Sequence, residues 1–125
     1  MPYRRDDALD AGDLIWVDFG PPFGHEQAGR RPALVISPRA YNERSSLILV
    51  CPITRNRKAW AFKVEIHDEK QRVQGAILVD QVRSIDRIAR FIRRTEIVGK
   101  ETLDQVYAVL AALFGITVSN GNHPR

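Results

Sequence analysis

The chain of 125 residues has the length of one domain, and 44% of them are hydrophobic, which suffices for a single core. Its apolar runs are too short to span a bilayer, its N-terminus lacks the apolar stretch of a secretory signal, and its single cysteine, Cys51, excludes an internal disulfide. Arginine supplies 15 of the 19 basic residues behind the net charge of +4, which favours a phosphate-bearing or acidic partner, although a GC-rich genome also enriches arginine.

The first half of the chain predicts strands separated by polar loops. Residues 1–11 are polar and indicate a flexible arm. Three segments are rich in apolar and β-branched residues and predict strands, at 13–19, 32–37 and 47–53. Residues 20–30 are rich in Gly and Pro and indicate a long loop, and 38–46 indicate a turn or short helix. Cys51 lies within the third strand and is expected to be a buried thiol in a reducing cytoplasm.

The second half adds strands and one helix. After a polar loop at 54–59, residues 60–66 alternate, which would place Trp60, Phe62, Val64 and Ile66 on one buried face. A charged turn at 67–74 precedes two further predicted strands, at 75–82 and 90–98. Residues 101–114 carry apolar side chains at helical spacing, with a capping box at Thr102 and Gln105 and a stop at Gly115. The tail, 117–125, is expected to be disordered.

Several short strands followed by one amphipathic helix predict an α+β fold that is mainly β, a strongly curved sheet or barrel with the helix packed on it. Because strands and helices do not alternate, a doubly wound parallel sheet is excluded. The chain shows no internal repeat, and we expect one domain over residues 12–116.

The sequence lacks the motifs of several enzyme classes. It contains no phosphate-binding P-loop, no dinucleotide fingerprint and no serine-hydrolase elbow. His25 and Glu26 begin like a zinc-protease motif, but Gly29 stands where the second histidine would be, and the other histidines are scattered. No metal or other cofactor is expected.

Polar side chains remain at three strand ends. The loop before the second strand carries His25, Glu26 and Arg31, Thr54 ends the third strand, and Asp80 follows an apolar run. RNA cleavage needs a base for the 2′-hydroxyl, donors for the charge on the phosphate oxygens, and a proton for the leaving 5′-oxygen. These residue types meet those needs without a metal, but they are common in proteins of many functions.

The order of motifs resembles the MazF/PemK (Kid) toxin family over residues 12–115. The matching segments are GDLIWVDF at 12–19, EQAGRRPALVISP at 26–38, YN at 41–42, PIT at 52–54, AFKV at 61–64 and DQVRSI at 80–85.

The resemblance implies an SH3-like (CcdB/PemK-type) curved β-barrel that works as a homodimer. It implies the toxin of a type II toxin–antitoxin module, a metal-independent, sequence-specific endoribonuclease. Attack by the 2′-hydroxyl of single-stranded RNA would leave a 2′,3′-cyclic phosphate and a 5′-hydroxyl. It also implies a MazE-like antitoxin whose acidic segment occupies the RNA groove, operator DNA binding only by the toxin–antitoxin complex, and no membrane partner.

Carried over position by position, Arg31 and Thr54 match the family's catalytic pair. Arg31 would stabilise the transition-state charge, and Thr54 would hydrogen-bond the scissile phosphate. Glu26 is the preferred base and Asp80 the second candidate, although Asp80 could instead be a structural acceptor. His25 is a candidate acid because imidazole titrates near neutral pH. The expected RNA-binding residues are Phe23, His25, Gln27, Arg30, Arg55, Arg57, Lys58, Gln81 and Arg83.

Other interpretations stay open. Leu78 stands where PemK-like relatives have an arginine, which shifts weight to Arg31, and the loop at 55–59 differs from relatives, so the cleaved sequence is not predicted. Trp60 could stack on bases, but its place on an apolar strand face favours the core. CcdB-type gyrase poisons share the barrel without catalysis, and a non-catalytic RNA-binding module is a third alternative. Arg31 and Thr54 in this motif context favour the nuclease.

Overall fold

The computed structural model describes residues 8–56 and 58–117. Within them, seven strands, one turn of 3₁₀ helix at Val79–Gln81 and two α-helices follow one another along the chain. The strands are β1 (Asp13–Asp18), β2 (Arg30–Val35), β3 (Leu47–Thr54), β4 (Lys63–Glu65), β5 (Ala76–Leu78), β6 (Arg83–Asp86) and β7 (Phe91–Ile97). The helices are α1 (Arg39–Arg44) and α2 (Lys100–Leu113).

All strand pairs are antiparallel, in the order β4-β5-β3-β2-β1-β7. Strand β3 makes the sheet bend, because its first half pairs with β6 and its last two residues pair with β5. Farther round, Glu96 of β7 accepts hydrogen bonds from the N–H groups of Arg72 and Val73, at 3.1 and 2.7 Å, and so holds the turn between β4 and β5. The prediction of a curved, mainly β fold with a C-terminal helix is confirmed.

The central strands are buried on both faces. Leu14, Leu34 and Cys51 lie in the core beneath α2, which contributes Val106 and Leu110. The alternate side chains of the same strands form a second core, whose members include Ile15, Val17, Ala33, Val35, Ile48 and Val50. Because both faces are covered, β1, β2 and β3 are nearly continuous apolar runs that end in polar residues. The functional side chains therefore lie at the strand ends.

Two predicted strands are shorter than expected. The strand predicted over 60–66 is restricted to Lys63–Glu65, and Trp60 is 52% exposed rather than part of the core. The strand predicted over 75–82 ends at Leu78, and a 3₁₀ turn follows that exposes Asp80. Strand β6 was not predicted because Ile85 is its only buried side chain, which leaves no alternating pattern.

The predicted C-terminal helix is confirmed, but not its capping box. Gly99 is the N-cap residue and no side chain caps the helix. At the other end, Gly115 has φ +71 and donates to the carbonyl of Ala112, while Ile116 donates to Ala111, which is the glycine-dependent stop expected there. No helix in the described part of the chain is long and apolar enough to cross a membrane.

The predicted terminal segments fall largely outside the described residues, namely at 1–7 and 118–125. Leu9, which the sequence analysis assigned to the N-terminal arm, is only 2% exposed and packs in the second core. Its carbonyl accepts a hydrogen bond from the buried amide of Asn42 at 2.8 Å. The packed domain therefore includes residues that precede position 12.

Cys51 is buried, as predicted. Burial, with a further contribution from the negative charge of Asp80, raises the pKa of the Cys51 thiol from 9.0 to about 12. At pH 8 we therefore expect no reaction of the folded protein with an aromatic disulfide reagent over an hour, because the thiolate is the reactive form. In guanidinium chloride the same protein should release one equivalent of chromophore. Rapid reaction without denaturant would contradict this prediction.

Candidate active site and nucleic-acid interface

Arg31 and Thr54 lie on neighbouring strands at the same end of the sheet. The β2–β3 ladder ends where Ala33 pairs with Pro52, and Arg31 and Thr54 each lie two residues beyond that pair, on the same side of their strands as Ala33 and Pro52. Arg31 Nη1 lies 3.5 Å from the carbonyl oxygen of Ile53. Thr54 is mostly buried at the end of β3, and its Oγ1 accepts the N–H of Asn56 at 3.1 Å. The structure thus brings the expected catalytic pair together.

Arg31 is also tied to the loop that carries Glu26. Its Nε donates to the carbonyl of Ala28 at 2.9 Å. Hydrogen bonds of Phe19 and Gly29 close the base of this loop. Farther out, the N–H of Gln27 donates to Oε1 of Gln81 at 2.9 Å. The loop is therefore anchored on both sides, and Arg31 is oriented by it.

Five expected site residues meet in one cavity of about 340 Å³. They are Glu26, Gln27, Asp80, Gln81 and Arg83. Phe19 lies beneath them, with the guanidinium carbon of Arg83 5.4 Å from its ring centroid. A carboxylate pair beside an arginine and two amides provides proton acceptors and hydrogen-bond groups for a polar ligand.

The two carboxylates have different surroundings. Oδ2 of Asp80 accepts the indole N–H of Trp60 at 3.0 Å, and this bond fixes the end of the loop that follows β3. The Trp60 ring packs edge-on against Phe62, with centroids 5.3 Å apart, and stays half exposed. Asp80 is thus already a structural acceptor. Trp60 is an oriented aromatic surface at the site rim, where the sequence predicted a core residue.

The loop after Thr54 is held by a lysine. Lys63 Nζ donates to the carbonyls of Asn56 and Lys58 at 2.7 and 2.6 Å. Arg55 and Lys58 are exposed on this loop, where RNA contacts were predicted. Arg57, assigned the same role, lies outside the described residues.

A second, basic cavity of about 550 Å³ opens at the end of β2. Arg30, Arg31 and Arg55 line it, together with Arg72 and Arg93, which the sequence analysis did not single out. Thr54 and Arg55 line a third cavity of about 660 Å³ with Gly75 and Ala76. The four expected catalytic residues are therefore divided among three cavities: Glu26 and Asp80 line the first, Arg31 the second and Thr54 the third, and the second and third share Arg55 and Gln74.

Two expected RNA contacts stand apart from these cavities. His25 and Phe23 are exposed on the loop between β1 and β2, Phe23 with 81% of its surface accessible, and neither lines the three cavities. Over residues 8–56 and 58–117 no three His, Cys, Asp or Glu side chains are grouped as metal ligands would be. The metal-free reaction stays a prediction.

Comparison with known proteins assigns this arrangement to a family. A family model described as PemK-like, MazF-like toxin of type II toxin–antitoxin system matches residues 10–114. The chain belongs to this toxin family.

Individual relatives support the same family assignment. The endoribonuclease toxin MazF of Escherichia coli strain K12 is 42% identical over 106 residues, which cover 85% of this chain and 94% of that protein. The crystal structure of MazF from Deinococcus radiodurans superposes with a TM-score of 0.82 at 39% identity and covers 87% of this chain and 98% of the other. A MazE–MazF complex from the same organism matches with a TM-score of 0.76 at 38% identity, covering 88% and 98%. The predicted family, PemK/MazF, is confirmed.

Proposed function

We propose that this PemK/MazF-family toxin is an endoribonuclease that cuts single-stranded RNA at a specific short sequence without a metal ion. The observation that carries the proposal is that Arg31, which lines the basic cavity, reaches the carbonyl of Ile53, the residue immediately before Thr54 at the end of β3. A guanidinium and a hydroxyl side by side suit a phosphate, because both donate hydrogen bonds to its oxygens. The names of the relatives, endoribonuclease toxins, support the same reaction.

In the proposed mechanism, Glu26 removes the proton of the 2′-hydroxyl at the cut. The 2′-oxygen forms a bond to phosphorus while the bond to the 5′-oxygen breaks, which leaves a 2′,3′-cyclic phosphate and a 5′-hydroxyl. Arg31 and Thr54 donate to the phosphate oxygens as their charge grows. His25 is the candidate proton donor for the departing 5′-oxygen; it is exposed on the loop that carries Glu26 and lines none of the three cavities, so the loop must turn it toward the cut when RNA binds.

The decisive experiment incubates the purified toxin with a long single-stranded RNA in excess EDTA and maps the new 5′ ends. We expect cuts at one short sequence, with 5′-hydroxyl ends that a kinase labels without prior phosphatase. Activity that disappears in EDTA and returns with a divalent ion would refute the metal-free part. An RNA that stays intact while DNA gyrase is inhibited would favour the CcdB-like alternative.

Substitutions of the two carboxylates, Glu26 and Asp80, test which of them is the general base. Glu26→Gln is expected to lower the single-turnover rate by about 10²–10⁴-fold, the usual contribution of a general base. Asp80→Asn should lower it less than about tenfold, because an amide oxygen can still accept the Trp60 N–H and hold the loop. Rates are compared at saturating RNA. The reverse order would make Asp80 the base.

We also propose a homodimer. Leu47 and Leu49 alternate along β3 and remain 38% and 36% exposed, and Tyr41 is 39% exposed on α1, a helix that contacts β3. An apolar strip of this kind is suited to burial against a second copy. Leu47→Glu together with Leu49→Glu is expected to halve the mass measured by light scattering. Ile97→Glu, at a 68% exposed position on β7, three strands away from β3, should not change it. An unchanged mass in the double variant would remove β3 from the interface.

The antitoxin proposed as partner is a MazE-like protein with an acidic, flexible segment. MazF of Deinococcus radiodurans has been solved in complex with MazE, and the net charge of +4 on this chain suits an acidic ligand. Such a segment would compete with RNA for the arginines around Arg31. Binding of operator DNA by the resulting complex, and a cytoplasmic location, remain predictions.

A further inference from the structure

The basic cavity at the end of β2 has features that the proposed cleavage chemistry does not use. Five arginines line its 550 Å³, and only Arg31 acts at the scissile phosphate in the proposed mechanism. Trp16, Arg72 and Arg93 face the same space and have been given no role. They come from β1, from the turn after β4 and from β7, so the fold collects them from distant parts of the sequence.

Trp16 and Arg93 form a layered pair. They are partners in the antiparallel register of β1 and β7, so both side chains lie on one face of the sheet. The guanidinium carbon of Arg93 lies 5.7 Å from the centroid of the Trp16 ring. Pro32, the register partner of Trp16 on β2, lines the cavity on the other side. Trp16 is half-buried and Arg93 exposed, so this surface is open to a ligand.

Arg72 is brought to the cavity by a backbone clamp. Both carboxylate oxygens of Glu96 are used, one for the N–H of Arg72 and the other for that of Val73. Carboxylate-to-amide bonds of this kind are stronger than neutral ones. The turn is therefore held against β7, and the Arg72 side chain enters the same cavity as Arg93.

We propose that this cavity binds one nucleotide of the RNA strand next to the cut, with its base on the Trp16–Arg93 layer and its phosphate between Arg72 and Arg30. Aromatic rings and guanidinium planes are the surfaces on which bases of single-stranded RNA stack. Arg31 and Arg55 line the cavity too, so its occupant adjoins the catalytic pair. An acidic peptide matches the charge, but its carboxylate side chains do not provide the extended aromatic surface that a base presents to the indole. The inference rests on the proposed function.

The test measures RNA affinity apart from cleavage. The ligand is a fluorescein-labelled pool of random 12-nucleotide RNAs with 2′-fluoro groups, which lack the attacking hydroxyl. Arg72→Gln/Arg93→Gln is compared with Arg39→Gln/Arg44→Gln, which removes the same charge from α1. Fluorescence anisotropy is recorded over a range of salt concentrations. Binding of a fluorescent poly-glutamate peptide and the cleavage of ordinary RNA are measured with the same proteins.

We expect the cavity variant to lose at least about tenfold in affinity and its salt slope to decrease by about 0.7, because Arg72 is the one member of this pair placed on a phosphate and each lost phosphate contact on a single strand removes about 0.7. The α1 variant should lose less than about threefold. Trp16→Leu, if its melting temperature shows that it folds, should lose at least about fivefold through the missing stack.

Equal losses in the two arginine pairs would reduce the effect to general charge and overturn the inference. Loss of poly-glutamate binding with RNA affinity unchanged would make the cavity a peptide site and overturn it as well. A wild-type protein that binds the pool in the expected pattern but cuts no RNA would sink the proposed function and leave this inference standing. If the wild-type protein cleaves RNA but the cavity variant binds the pool with unchanged affinity, the proposed function stands and this inference is overturned.

Discussion

Replacing Arg31 with alanine is expected to lower kcat/KM for RNA cleavage by about 10³-fold or more. One preorganised donor to a developing oxyanion contributes about 10²–10³-fold, and a guanidinium adds charge to its hydrogen bonds. The substitution also removes the bond from Nε to the Ala28 carbonyl, which anchors the loop bearing Glu26. Single-turnover rates at saturating RNA would show the loss in the chemical step.

Matched variants distinguish the effects of the charge of Arg31, of its hydrogen-bond geometry and of its contribution to fold stability. Arg31→Lys keeps the charge but cannot present two parallel N–H groups, so we expect an intermediate rate. Arg44→Ala removes an exposed arginine from α1 and should leave the rate unchanged. The Arg31→Ala melting temperature should fall by about 4–10 °C, since the two hydrogen bonds to the Ala28 and Ile53 carbonyls together contribute about 1–2 kcal/mol. Full activity in Arg31→Ala would remove this residue from the mechanism.

Periodic segments of the sequence were predicted well because local pattern and burial coincide in them. The alternating Ile15 and Val17 of β1, and the helical spacing of Val106 and Leu110 in α2, correspond to buried faces. Trp60 lies in an equally clear alternating pattern, but the prediction that it is buried was wrong. Its indole N–H bonds to Asp80, which is 20 positions away in the sequence. No pattern within residues 60–66 contains that contact.

The residues of the candidate site also fall into those that the sequence predicted and those that it did not. The family resemblance located Arg31 and Thr54, and the β2–β3 ladder sets them at the same end of the sheet, each two residues beyond its last pair. Arg72 and Arg93 belong to no motif, since one lies in an irregular turn and the other on an exposed strand face. The hydrogen bonds of Glu96 to the turn between β4 and β5 bring them to the same cavity. The proposed nucleotide contact was therefore not predictable from the sequence.

Gly75→Ala is expected to be the most destabilising of the substitutions considered, by about 3 kcal/mol or more. Gly75 has φ +128, a region that residues with a Cβ rarely adopt. A Cβ at this position would overlap the carbonyl oxygen of Thr54, and because that oxygen belongs to the backbone it cannot rotate away. Either the start of β5 or the end of β3 must move. We expect the melting temperature to fall by about 10 °C or more.

The same displacement would reach the active site, because Thr54 pairs with Ala76 immediately after the glycine. Partly active Gly75→Ala protein should therefore show a lower cleavage rate at temperatures well below its melting point. Gly24→Ala is the control, since Gly24 also has a positive φ, +62, but open space around its Cβ position. It should cost about 1–2 kcal/mol from backbone strain alone. Equal melting temperatures for the two variants would show that β5 yields without cost, and that Gly75 does not hold Thr54 in place.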